Sequence, residues 1–206
     1  MPQLKKKIDL QGDVFEGISS VFAVKGGLTF NTASSGTDQG VAVATPILDN
    51  MLEFPVSDES GFNFDTGAPS IETFKIQGLN SAWVSTFTPG DGSITLEIPC
   101  HETNIMETCF GQTGASSKVT LPANSLAPAA ANFTGKGYAV AQKAIYLGLL
   151  ILNDTEDMLL FIKKAKFMAQ AIFDGSNKPL CVVLTGNIEA GSDPTAFGVL
   201  KKVAAA

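Results

Sequence analysis

The stretch Met158-Leu159-Leu160-Phe161-Ile162-Lys163-Lys164-Ala165-Lys166-Phe167-Met168-Ala169-Gln170-Ala171-Ile172-Phe173 carries both a helical composition and a strand-like alternation, and the fold class turns on which of the two prevails. Its Leu, Met, Ala and Lys content suits a helix. Yet Phe161, Ala165, Phe167, Ala169, Ala171 and Phe173 fall on odd positions, which makes one apolar face of a strand. The neighbours favour the strand. The turn Asp174-Gly175-Ser176-Asn177 leads straight into Leu180 to Ile188, an alternating run rich in Val. On the other side, Asn153 to Asp157 forms a turn after Ala144 to Leu152. Both alternating faces of that run are apolar (Ile145, Leu147, Leu149 and Ile151 against Tyr146, Leu150 and Leu152), as in a strand covered on both sides. The three runs therefore read as an antiparallel meander, in which Lys164 and Lys166 share the face opposite the aromatics.

Gly and Pro punctuate short apolar-alternating runs throughout the chain, the pattern of an all-β domain. Gly17 to Phe30 reads as strand, with a break at Gly26-Gly27. Ile71 to Ile76 and Ala82 to Phe87 read as a hairpin about Gln77 to Asn80. After the turn Pro89 to Gly92, Ser93 to Pro99 places Ile94, Leu96 and Ile98 on one face and Thr95 and Glu97 on the other. Residues 101–110 carry Ile105, Met106, Cys109 and Phe110 at helical spacing and stop at Gly111, the pattern of a short helix with a glycine cap. Residues 112–137 read as loop. Residues 31–61 form a long stretch rich in Ser, Thr, Gly and Asp, with an apolar centre at Val41 to Val43 and Ile47-Leu48; an unsupported loop of that length is uncommon in a compact domain and usually has a task. The expectation is a mainly β domain spanning 1–206, a sandwich or partial barrel with one short flanking helix and a long loop or hairpin arm.

Composition narrows the function. The chain has 206 residues, and its 17% charged fraction is low for a soluble domain, which suits a surface covered by neighbours. Its 14 bases are all Lys, set against 20 acids, for a net charge of −6. Excess negative charge disfavours a grip on nucleic acid, and the absence of Arg removes the forked donor used for bidentate phosphate or base recognition. From Asp38 to Phe110 there are eleven acids and one Lys, whereas Phe161 onward holds six Lys and three acids. Identical subunits could meet acidic patch to basic patch. The basic start at Lys5 to Lys7 has no apolar run behind it to make a signal peptide. The longest apolar run, 144–152, is far shorter than the roughly 20 residues of a membrane helix. Three cysteines without paired spacing point to a reducing compartment.

No catalytic or metal constellation stands out. His101 lies between Cys100 and Glu102, with Cys109 eight residues on. Adjacent residues are not thereby a Cys–His catalytic pair, and no third orienting residue is implied. The set also lacks the usual zinc spacing. Asp49, Glu53, Asp58 and Glu59 do not form a calcium-loop pattern. Gly135-Lys136-Gly137 is too short for a phosphate loop. Lys163, Lys164 and Lys166, interleaved with Phe161 and Phe167, fit an outer face or subunit contact better than an RNA platform. The expectation is a non-enzymatic structural or assembly protein with no cofactor and no metal.

The run Gly61-Phe62-Asn63-Phe64-Asp65-Thr66-Gly67-Ala68-Pro69-Ser70-Ile71-Glu72-Thr73-Phe74, the strand Gly92 to Pro99, and the short helix closed by Phe110-Gly111 resemble, in their order, phage major tail proteins of the tail-tube family. The distal runs Lys143 to Ile151, Leu160 to Ala171 and Leu180 to Ile188 are similar to that family's second half. The resemblance covers residues 62–191 as an order of elements. It implies a virion protein, made in the host cytoplasm, that forms hexameric rings stacked into a hollow tube with strands closing into an inter-subunit β-barrel. Tape-measure, terminator and tail-tip proteins would be its partners, and DNA would pass through without specific binding. Residues 31–61 match the position of the family's inter-ring arm. Val41, Val43, Ile47, Leu48 and Met51 are then candidates for a surface buried on stacking, and Lys163, Lys164 and Lys166 for a contact between subunits. The alternatives are a virion decoration, adaptor or capsid-type β protein, or the inner-tube protein of a contractile secretion system.

Overall fold

The computed structural model describes residues 14–28, 30–32, 41–43, 51–56, 61–78, 84–99, 102–111, 118–122, 133–138, 143–175, 179–189 and 196–202. Its elements are β1 Ser20–Lys25, β2 Phe30–Thr32, β3 Val41–Val43, β4 Met51–Phe54, β5 Phe62–Asp65, β6 Ser70–Phe74, β7 Val84–Thr88, β8 Ser93–Ile98, α1 Thr103–Phe110, β9 Lys118–Leu121, β10 Phe133–Lys136, β11 Ile145–Leu152, β12 Met158–Ile172, β13 Cys181–Ile188 and β14 Phe197–Lys201. Strands dominate, as the alternation requires. Eight of them form one antiparallel sheet in the order β4-β1-β11-β12-β13-β8-β5, with β14 also paired to β12. The β11–β12–β13 meander is present, and 158–172 is strand.

The face assignment within β12 needs correction. Gly148 of β11 stands opposite two residues, Lys163 and Lys164, because the register passes from Leu147↔Ala165 to Leu149↔Ile162. Such a bulge shifts the side-chain alternation by one residue. Leu160 and Ile162 therefore face the core before it, and Ala165, Phe167 and Ala169 after it. Phe161 lies on the opposite face from Phe167, in a second cluster with Val24 and Leu28. Ala171 and Phe173 are exposed. The bulge also marks a change of partner: β14 pairs with Met158 to Ile162 and β13 with Ala165 to Ile172. At the junction the Lys163 N–H donates to the Ala196 carbonyl (2.8 Å), and the Glu189 N–H donates to the Lys164 carbonyl (3.1 Å).

The sheet coils strongly without closing into a barrel among the described residues. Through the register, Phe64 aligns with Phe167 and Phe197 with Ile162. In a flat sheet they would stand roughly 16 Å apart along the strands and 10 Å across them. Their rings meet edge to face with centroids 5.3 Å apart. The coil encloses one core to which Val21 and Phe54 at one end of the sheet and Ile94, Leu96 and Ile98 at the other all contribute. Helix α1 closes it with Ile105, Met106 and Cys109 and ends at Gly111 in the left-handed conformation (φ 63°). That conformation favours glycine.

Three further corrections concern segments read as loop or left unassigned. Residues 112–137 contain the β9–β10 hairpin. Met51 to Phe54, read as part of the arm, is an edge strand of the main sheet with Phe54 buried in the core. β14 went unread because Phe197-Gly198-Val199-Leu200-Lys201 is short and lacks a clean polar face. The β2–β3 pair does put a hairpin in the arm.

Candidate functional site

Among the described residues three hairpins stand outside the main sheet, β2–β3, β6–β7 and β9–β10, and the last two expose apolar side chains. In β6–β7 every strand residue is exposed. Its register places Ile71 opposite Phe87, Glu72 opposite Thr86 and Phe74 opposite Val84. One face thus carries Ile71 and Phe87, and the other Glu72, Phe74 and Val84. Phe74 is 76% and Phe87 65% exposed, values unusual for such side chains. A shallow hollow of about 220 Å³ on the second face is lined by Glu72, Phe74, Val84 and Thr86.

The β9–β10 hairpin is more sharply two-sided. Leu121 opposes Phe133 and Val119 opposes Gly135, so one face is wholly apolar and exposed. The other carries Lys118, Lys136, and Thr120 with Thr134, whose hydroxyls lie 3.3 Å apart. The base of the hairpin is fixed to α1. Lys136 forms an ion pair with Glu107, and the Tyr138 ring lies 5.6 Å from that of Phe110. Burial and the Glu107 carboxylate raise the Tyr138 pKa, against the opposing pull of Lys136.

The three clustered lysines lie on the outer face of β12. Lys164 reaches Glu189 at 3.1 Å and sits 4.5 Å from the centre of the Tyr146 ring, whereas Lys166 is exposed. Met51 is half-buried against Val24, Leu28 and Phe161 of its own chain. Val41 and Val43 fall in β3, but their side chains, like Ile47 and Leu48 entirely, lie outside the described residues. Sequence reading gave the β6–β7 hairpin but not its exposure on both faces, and it missed β9–β10. The alternation in Lys118-Val119-Thr120-Leu121 was the available signal, weak because the strand is only four residues long.

Cys100 and His101 lie outside the described residues. Cys109 is fully buried, and burial pushes its thiol pKa up to about 12, far from the activated thiolate that nucleophilic chemistry needs. Among the described residues no three of His, Cys, Asp and Glu are grouped as metal ligands would be. No described helix is long and apolar enough to cross a membrane.

No family model matches the chain, and no curated protein matches it. Among solved structures, the chain is similar to a component of the anti-feeding prophage baseplate, determined by cryo-electron microscopy with six-fold symmetry applied. The match has a TM-score of 0.40 and 11% identity, covering 91% of this chain and 95% of that one.

Proposed function

We propose that this chain is a structural, non-catalytic subunit of a phage-type tail: a major tail tube protein whose hexameric rings stack into a hollow conduit for DNA. The observation that carries the self-assembly in this reading is the pair of hairpins. An isolated two-stranded hairpin is at best marginally stable in water, and an exposed edge with apolar side chains invites pairing with another chain. Seven large apolar side chains on these four short strands stay in water in the single chain: Ile71, Phe74, Val84, Phe87, Val119, Leu121 and Phe133. Copies of the same chain would cover them. The tubular form comes from the resemblance in element order. Net negative charge and the absence of Arg suit a passage that polyanionic DNA crosses without being held. Tape-measure, terminator and tail-tip proteins are the partners this reading assigns.

Negative-stain electron microscopy of the purified chain, with light scattering on the same sample, tests it. The expected result is hollow rings or tubes with six-fold end views. Closed dimers or a monodisperse monomer at every concentration and salt, with and without a tail-tip complex, would overturn the tube reading and favour a decoration or adaptor protein.

A further inference from the structure

We infer that the β6 edge of one copy pairs antiparallel with the β9 edge of the next, placing Ile71 opposite Val119 and Glu72 opposite Lys118. The inference rests on the assembly reading above and names the segments that meet. Among the described residues, each hairpin is a two-stranded sheet, so β6 and β9 each have an edge with no strand partner. Their sequences alternate in step. In β6, Ile71 shares a face with Phe87, and Glu72 lies on the other. In β9, Val119 and Leu121 share a face with Phe133, and Lys118 lies on the other.

Antiparallel pairing in this register continues the apolar face across four strands and sets the carboxylate of Glu72 against the ammonium of Lys118. A register slipped by one residue would set Ile71 against Lys118 or Thr120 and lose both matches. Opposite charges directly across a strand pair are favourable and like charges unfavourable. The charge distribution agrees on a larger scale. Glu72 belongs to the stretch from Asp38 to Phe110 with eleven acids and one Lys, while residues 111–153 contain three Lys and no acid. Both hairpins are exposed within their own chain, so neither covers the other there. The contact joins two different surfaces, so it is head-to-tail and repeats around a ring or along a filament.

The test is a charge swap read by assembly. Glu72→Lys and Lys118→Glu are each expected to raise the concentration for half-maximal assembly by roughly three- to tenfold. The two together in one chain are expected to return it close to the unsubstituted value. Both positions are exposed, so unchanged thermal melting confirms the fold. Rings from the unsubstituted chain, combined with single variants that assemble normally or a double variant that is not rescued, would overturn this contact and leave the tube reading standing. Failure of the unsubstituted chain to assemble would overturn both. Separately, a chain carrying Ile71→Cys and Val119→Cys should give a ladder of disulfide-linked dimers, trimers and larger species on oxidation. A bond formed within the monomer, or a ladder that stops at the dimer, would overturn the head-to-tail pairing.

Discussion

A Cβ placed on Gly148 would stand 2.7 Å from the amide nitrogen of Leu28: the chain leaving β1 crosses β11 where β11 has no side chain. That crossing lets the Leu28 N–H donate to the Lys163 carbonyl at 2.7 Å, within the bulge where β12 changes partners. Gly148 thus serves the architecture by its small size. Gly148→Ala should push Leu28 away, break that hydrogen bond and cost about 1–3 kcal/mol, the usual range for overpacking. Gly135→Ala, where an added Cβ meets nothing within 4 Å, should be close to neutral. Urea unfolding of the two variants makes the comparison; equal midpoints would contradict the crossing.

Cys109 should be inert in the folded chain. Its thiol is fully buried, and its pKa is raised by burial from 9.0 to about 12. The unfolded thiol ionises near 9.0 while the folded one stays protonated, so stability is whole below pH 9 and falls as the pH climbs from there towards 12. Thiol labelling at pH 8 should leave Cys109 unmodified until denaturant is added. Rapid labelling of Cys109 in the native chain, located by peptide mapping, would contradict the burial.

The strand content was legible because alternation is a local signal. Ile94, Leu96 and Ile98 read as core from β8 alone and are fully buried, and Gly111 read as the end of α1 and caps it. The bulge was not legible. Nothing in Ile162-Lys163-Lys164-Ala165 announces that one extra residue faces Gly148, since the cause lies on β11 and on the crossing at Leu28. A strict period of two therefore put Phe161 with Phe167. The exposed hairpins were half legible: the turn at Gln77 to Asn80 gave β6–β7, but a sequence does not show which alternating face finds a core.

Lys164 is predicted to act within its own chain. It bridges the Tyr146 ring and the Glu189 carboxylate on the outer face of the sheet. Both contacts are solvent-accessible, so Lys164→Ala should cost at most about 1 kcal/mol. The carboxylate part of that loss should shrink in high salt. Lys166 is exposed beside it, and Lys166→Ala should leave monomer stability unchanged. Thermal melts at low and high ionic strength separate the two; a larger loss for Lys166 would reverse the assignment.

The turn between β11 and β12 is held by Asn153, a polar side chain that is only 2% exposed. Its Oδ1 accepts from the Asp157 N–H at 3.1 Å and the Met158 N–H at 2.9 Å, while its Nδ2 donates to Thr155 and Asp157. Asn153→Ala strands those two backbone donors and should cost about 1–3 kcal/mol. The same network makes the turn sensitive to acid. Hydrogen bonds from the Thr155 hydroxyl and the Asn153 amide hold the Asp157 carboxyl below its ordinary value of 3.8. A carboxylate with a depressed folded pKa stabilises the fold fully above its unfolded pKa and loses that contribution as the pH falls through the folded one. The stability difference between the natural chain and Asp157→Asn should therefore be constant near neutrality and narrow below about pH 4. Chemical denaturation from pH 7 to pH 3 measures it. A difference that widens on acidification would mean that Asp157 is not held ionised by Asn153 and Thr155.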